Sequence, residues 1–305
     1  MRVIRDPRQA QLDQDTVLTI GAFDGLHLGH QELLKRLVRR AKQTYRLSGV
    51  VTFDPHPRAV LSPANNAFCL TTTEDKIAIL HQWGLDLLVV LPFTQELALT
   101  SARDFVQMLT HDLRMTELWV GWDFALGRGR EGDVRTLKKL GKDLGYAVHE
   151  IAPVQDGDVV VSSTQIRNLI SAGRVREAAE MLGRSHWLRG HVVRGTGRGQ
   201  QLGFPTANLE PEHKCLVPPI GVYAAYATVG SDRYLAAVNI GVRPTFGGQE
   251  RNVEVHLLDF QGDLYDQHLG VQFVERLRDE QRFPNEQALR MQISRDIARA
   301  REVLG

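Results

Sequence analysis

Through the first half of the chain, short runs of branched and aromatic residues alternate with longer stretches in which apolar side chains recur every three or four positions. The runs Val17–Phe23, Val50–Phe53, Leu87–Phe93, Leu118–Phe124 and Ala147–Val154 predict strands. Between the first two, Leu34, Leu37, Val38, Ala41 and Tyr45 share one face of a helix, and the intervening Lys and Arg residues point outward. A solvated helix face accounts for that basic surface. Helices over Thr73–Gln82, Ser101–Leu113 and Asp133–Leu144 follow. Strand and helix repeated in this way predict an α/β, doubly wound parallel sheet covered on both faces. Ligands of such sheets bind beyond the carboxyl ends of the strands, so chemistry is expected in the strand-to-helix loops.

Past Ser162 the pattern changes. Two short helices, Gln165–Ala172 and Val175–Leu182, stop at Gly173 and Gly183. Closely spaced strands follow at His191–Arg194, Val222–Val229, Tyr234–Ile240, Val253–Leu258 and Val271–Arg276, with Gly and Pro between them. Strands without intervening helices predict an antiparallel β-barrel. A C-terminal helix closes the chain, with Leu289, Ile293, Ile297, Ala300 and Leu304 on one face. The boundary is placed near Gly183–Trp187, giving domains 1–185 and 186–305, as a chain of 305 residues allows.

Charge narrows the function classes. With 37 basic against 36 acidic residues, the chain has no global field to hold a nucleic-acid backbone, so no nucleic-acid partner is expected. The two cysteines, Cys69 and Cys215, form no CxxC and no zinc-type cluster, which fits buried thiols in a reducing compartment. The first fifteen residues carry charge where a signal peptide would be apolar, and the longest apolar run, the seven residues Leu87–Phe93, is too short to span a bilayer. A cytoplasmic protein without a membrane partner is expected.

Two constellations carry candidate chemistry. Gly21-Ala22-Phe23-Asp24-Gly25-Leu26-His27-Leu28-Gly29-His30 closes the first strand and opens the first long helix. Two imidazoles three apart at a helix start can converge on one group, where the backbone N–H groups and the helix dipole already favour phosphate. Gly25 and Gly29 allow close backbone approach, and such a site suits attack on a nucleotide α-phosphate. For HxxH alone, Asp24 as a helix cap beside two exposed histidines would suffice, but not for the whole run at this junction. Ser162-Ser163-Thr164-Gln165-Ile166-Arg167 offers N-cap residues, and with its arginine also a place for pyrophosphate.

In the barrel half, Gly190–Gly199 is followed by Gln200-Gln201-Leu202-Gly203-Phe204-Pro205-Thr206-Ala207-Asn208. The glycines and the two arginines, Arg194 and Arg198, can wrap phosphate or form a flexible hairpin. No Walker motif or GxGxxG fingerprint accompanies them. Thr206 and Asn208, alternate residues of an extended segment, face the same way and suit Mg²⁺ or structural hydrogen bonds. Glu254, opposite in face to Val253 and Val255, is an exposed strand glutamate or a general base.

The first set of motifs, with Phe53-Asp54-Pro55-His56-Pro57 and Gly121-Trp122-Asp123-Phe124, resembles the adenylyltransferase module of bacterial FAD synthetases. The resemblance implies that Gly21, Phe23, Asp24, Gly25, His27, Gly29, His30, Ser163, Thr164 and Arg167 bind ATP, with His27 and His30 catalytic, and that Phe53, His56 and Asp123 hold flavin. The second set, with Gly221-Val222-Tyr223-Ala224 and Asn239-Ile240-Gly241-Val242-Arg243-Pro244-Thr245, resembles the riboflavin kinase module. It implies ATP binding by Gly195, Gly197, Arg198, Gly199, Pro205, Thr206 and Asn208, Mg²⁺ held by Thr206 and Asn208, and Glu254 as the catalytic base on the ribityl hydroxyl. Val160, Gln200 and Asp266 depart from the family pattern, which commonly has Arg, Arg and Gly there. Together the modules imply a bifunctional enzyme that makes FMN from riboflavin and FAD from FMN with ATP and Mg²⁺, and so supplies flavoproteins.

Overall fold

In the first half, six strands form one sheet: β1 (Arg2–Ile4), β2 (Thr16–Ile20), β3 (Leu47–Phe53), β4 (Leu87–Leu91), β5 (Met115–Gly121) and β6 (Ala147–Ile151). Their order is β1-β4-β3-β2-β5-β6, with every pairing parallel. The computed structural model describes residues 1–62, 69–195, 197–212, 215–245 and 248–305, and for 198, 243–245 and 248–250 the backbone alone. Alternation along the strands feeds two cores, as a sheet covered on both faces requires. Leu18, Val51, Val89 and Leu118 pack with helices α3 (Ala102–Asp112) and α4 (Val134–Leu144) through Phe105, Leu109 and Leu137. Val17, Val50, Leu88 and Val90 pack with α1 (Leu28–Gln43) and α2 (Thr73–Gln82) through Leu34, Leu37 and Leu80. The chain winds from β2 through β3 to β4 on one side and from β5 to β6 on the other. The direction therefore reverses between β2 and β5, where such sheets open a crevice.

Some local expectations shift. Ser101 and Asp133 are N-caps, accepting from the amides of Asp104 and Thr136, and are not the first helical residues. Tyr45 is 92% exposed, not part of the apolar face, because α1 ends at Gln43 and Tyr45 takes φ +54°. The basic side of α1 is not merely solvated. Arg40 and Arg46 both reach the buried Glu117, at 2.8 and 2.7 Å, where Trp119 Nε1 also donates to its carboxylate at 3.2 Å and His149 Nε2 lies 3.1 Å away. The edge strand β1, charged in sequence, pairs with β4.

The second half begins with α5 (Ser163–Ser171) and α6 (Val175–Leu182). Six antiparallel strands follow: β7 (His186–Val193), β8 (Ala207–Pro211), β9 (Gly221–Val229), β10 (Asp232–Thr245), β11 (Gly248–Leu257) and β12 (His268–Arg278). They close a barrel in the order β7-β8-β11-β10-β9-β12, sealed by β12 against β7. Val192, Tyr223, Val238, Ile240, Val255, Val271 and Phe273 are among its buried residues. The terminal helix α7 (Glu286–Leu304) lays Ala300 and Leu304 over Ala224, Tyr226, Leu235 and Val274. It also carries a buried charge that apolar periodicity does not flag: Asp296 takes a two-pronged pair from Arg278, at 2.9 and 2.7 Å.

By packing, the chain divides into Met1–Ser162 and Ser163–Gly305, whereas composition places the break at 185/186. The helices between those positions explain the difference. α6 packs on β12 and β7, Arg176 pairs with Glu275, and a Cβ on Gly173 would sit 2.8 Å from Arg276 Cδ.

Candidate active sites

The loops after β2, β3 and β5 carry Gly21–His30, Phe53–Pro57 and Gly121–Phe124. These strands are neighbours and parallel, so all three loops open at one carboxyl edge, astride the reversal. After β2 the backbone takes left-handed φ at Phe23 (+46°), Gly25 (+85°) and Leu26 (+44°), turning sharply into α1. Lys76 Nζ and Thr52 Oγ1 both donate to the Ala22 carbonyl, at 2.8 and 3.2 Å. Asp24 is buried and does not cap α1. Its Oδ1 accepts from the amides of Leu70 and Thr71, at 2.8 and 3.2 Å, tying the turn to the segment ahead of α2. The N-cap is His27, with no side-chain cap bond. Its ring stacks on that of His30 at 3.7 Å between centroids, and Phe23 lies 4.9 Å from His30. A Cβ on Gly29 would stand 3.2 Å from the His27 ring, and one on Gly21 3.2 Å from the Phe23 ring. The glycines let this aromatic stack close over a helix start, whose first-turn amides point out along the axis.

Phe53 meets Phe93 edge-on at 5.3 Å. His56 Nδ1 accepts from the Arg58 amide at 3.1 Å and caps the short helix Pro57–Leu61. Asp123 is exposed in the turn closed by the Phe124 amide on the Gly121 carbonyl. In the second unit, Ser163, Thr164 and Arg167 lie on the opening turns of α5.

The barrel and α7 line an open cavity of about 1140 Å³. On β8, Leu209 is buried, while Thr206, before the strand, the buried Ala207 and Asn208 line the cavity. Glu254 lines it too, paired in register with Asn208 on one side and Asn239 on the other. Asn252, two residues before Glu254 on the same face, donates to Glu254 Oε1 at 2.9 Å and approaches Asn208 Oδ1 at 3.4 Å. The preceding loop is fitted against these side chains. A Cβ on Gly195 would lie 2.1 Å from Asn208 Nδ2, and one on Gly199 2.6 Å from the Phe204 carbonyl and 2.9 Å from Thr206 Oγ1. Gly197 (φ +72°) and Pro205 also line the cavity. The side chains of Arg198, Arg243, Pro244 and Thr245 lie outside the described residues. Hydroxyl, amide carbonyl and carboxylate oxygens together make a hard donor set, and the glycine loop leaves them space. Both features fit a magnesium-bound phosphate.

The FAD synthetase family model matches residues 9–165 and the riboflavin kinase family model residues 182–304. The chain is 40% identical over 293 residues to the bifunctional riboflavin kinase/FMN adenylyltransferase of Pseudomonas fluorescens, covering 93% of this chain and 92% of that protein. Its counterpart in Escherichia coli K12 is 36% identical over 291 residues, 95% and 93% of the two chains. The chain belongs to the bifunctional riboflavin kinase/FMN adenylyltransferase family. A crystal structure described as a macrolide-efflux protein from Streptococcus pneumoniae has the same fold, with TM-score 0.91, 29% identity and 98% of each chain covered. Among the described residues, no helix is long and apolar enough to cross a membrane.

Within this family's pattern the three departures become readable. Asp266 takes φ +60°, a left-handed conformation that glycine meets without strain and aspartate tolerates better than most residues. Gln200 is exposed in the short helix Arg198–Gln201. Val160 is exposed in a two-residue strand paired with Gln155. Sequence reading missed Asn252, which touches two assigned residues. Its signal was the period-two spacing that puts it beside Glu254. It also missed the wall formed by Arg278, Leu289 and Asp296, which come together only through the helix docking on the barrel.

Proposed function

We propose that the cavity in the barrel is the riboflavin kinase site and that Glu254 takes the proton from the ribityl 5′-hydroxyl as it attacks the γ-phosphorus of ATP. As a member of its family the chain is a bifunctional flavin-biosynthesis enzyme, converting riboflavin and ATP to FMN and ADP, then FMN and ATP to FAD and diphosphate. The observation that carries the site assignment is the meeting in one cavity of Asn208 and Glu254, on paired strands, with Thr206 just ahead of the first strand. A hydroxyl is a poor nucleophile, and a carboxylate within hydrogen-bond reach removes its proton during attack. Asn252 fixes the carboxylate's direction, and the Gly195–Gly199 loop holds phosphate through its amides. Thr206 and Asn208 would hold Mg²⁺, which when bound offsets the charge of the ATP phosphates.

In the first unit, the loops around β2 form the adenylyltransferase site. The FMN phosphate is already an anion and needs no strong base, so positioning and charge stabilisation dominate. His27 and His30, stacked at the start of α1, stabilise charge at the α-phosphate. Phe53, His56 and Asp123 lie at the same sheet edge for the flavin, and the family resemblance assigns the diphosphate to Ser163, Thr164 and Arg167 on the opening turns of α5. The same reading places the enzyme in the cytoplasm, delivering FMN and FAD to flavoproteins, with residues up to about 185 serving adenylylation and the remainder phosphorylation.

A paired variant experiment tests both assignments. Glu254→Gln keeps the side chain's shape and removes the proton acceptor. Chromatography of flavins should show riboflavin phosphorylation reduced on the order of 100-fold or more with FAD formation from supplied FMN unchanged. His30→Ala should do the reverse, stopping FAD while FMN accumulates. Near-normal phosphorylation by Glu254→Gln would remove Glu254 from the base role, and equal loss of both activities in His30→Ala would contradict separate sites.

A further inference from the structure

Among residues assigned to neither site, three side chains of metal-ligand type converge on the outside of the barrel seam. His191 of β7 and His268 of β12 are direct partners in the ladder that closes the barrel, and their ring centroids are 4.1 Å apart. Glu212, just past β8, reaches both: its Oε1 lies 2.5 Å from His268 Nδ1 and 3.7 Å from His191 Nε2. One ligand atom from each residue lies within 4.8 Å of the other two. The Glu212 amide donates to the Arg189 carbonyl at 3.1 Å, so the carboxylate arrives on a backbone that β7 itself holds.

We propose that His191, Glu212 and His268 bind a zinc-like divalent transition-metal ion that ties β7, β12 and the end of β8 together. Bonds of about 2.0–2.2 Å to nitrogen and oxygen put the ligands of a tetrahedral zinc site roughly 3.4 Å apart. The two separations to Glu212, 2.5 and 3.7 Å, bracket that value, and the two imidazoles, within 4.8 Å of each other, close the rest of the distance by side-chain rotation on exposed positions. Two imidazoles with one carboxylate favour zinc over magnesium or calcium, which prefer oxygen alone. The ion therefore differs from the one the kinase cavity suits. All three residues lie at the surface, which leaves the fourth position to water. The rival is a hydrogen-bonded cluster of histidines and carboxylate that takes no metal.

The experiment uses the full-length chain without a histidine tag, stripped by a chelator and then titrated with zinc chloride by calorimetry and with cobalt(II) by visible absorption. The expected result is one ion per chain, cobalt bands of a tetrahedral nitrogen–oxygen site, and a raised unfolding temperature with zinc. A large excess of Mg²⁺ should not displace the ion. His268→Ala and Glu212→Ala should each weaken zinc binding by at least the ~10–100-fold that losing even an outer partner costs, and should remove the thermal shift. Both should leave riboflavin kinase turnover in Mg-ATP unchanged. Three results would overturn the assignment: no zinc binding, equal affinity in both variants (which would place the ion elsewhere), or displacement by Mg²⁺ at comparable concentration.

Discussion

Asn252 offers the sharpest test of how the kinase cavity works, because it touches two assigned residues and does not itself line the cavity. Asn252→Ala deletes the donor 2.9 Å from Glu254 Oε1 and the longer contact, 3.4 Å, to Asn208 Oδ1. A hydrogen bond to a charged group contributes about 1.5–3 kcal/mol, and each 1.4 kcal/mol is tenfold in rate. Glu254 is half-buried, so water replaces part of what is lost and the lower end applies. The weaker amide contact adds a few tenths. The expected fall in riboflavin phosphorylation is therefore about 10- to 30-fold, smaller than that of Glu254→Gln. It should appear in kcat, with the riboflavin KM changed less than about threefold, because a misdirected base is felt as the hydroxyl attacks. The double variant Asn252→Ala/Glu254→Gln should be no slower than Glu254→Gln alone, since Asn252 then has no carboxylate to orient. FAD formation from FMN serves as an internal control on folding. A loss below about twofold, or fully additive losses in the double variant, would refute the positioning argument.

Two further expectations follow from packing and charge. A fragment Ser163–Gly305 should unfold at higher urea than His186–Gly305 and keep riboflavin kinase activity, because α6 covers β12 and β7; equal midpoints would show the helix to be dispensable. Burial alone would raise the Glu117 carboxyl, but bonds from Arg40 and Trp119 outweigh it and hold the group below its ordinary value of 4.5. A carboxyl lowered in the folded state stabilises above its unfolded value and loses that contribution as pH falls through the folded one. Glu117→Gln should thus lower stability at pH 7 by about 1–3 kcal/mol, and the gap to wild type should shrink below pH 4.5; a gap that stays constant into acid would contradict the linkage.

Much of this architecture was legible in the residues because the dominant signals are local. The helices Thr73–Gln82 and Val175–Leu182 fall where the apolar period put them. The sheet's two-sided burial follows from unbroken runs such as Leu87–Leu91. What escaped depends on distant partners. β1, with only three residues and two of them exposed, is a strand because β4 offers an edge. β8 read only as an extended segment because its glycine-rich approach looks like a loop, yet its register places Asn208 opposite Glu254. Asp24 looked like a helix cap, and its amide partners at Leu70 and Thr71 lie 46 and 47 positions on. Asp296 broke the apolar stripe of α7, and only the docked helix shows its partner, Arg278.

The seam between β7 and β12 also bears on how the polypeptide is born. A ribosome delivers about 5–20 residues per second. All six strands of the first sheet are out once Ile151 has been made. β7, by contrast, begins at His186 and waits for a partner that begins at His268, 82 positions later (268 minus 186), or about 4–16 s of synthesis. During that interval the nascent kinase half presents an unpaired strand edge, the kind of surface that seeks other chains. The adenylyltransferase half can by then be folded. Vectorial synthesis therefore assembles the two catalysts in the reverse of their chemical order, with the maker of FAD complete before the maker of FMN.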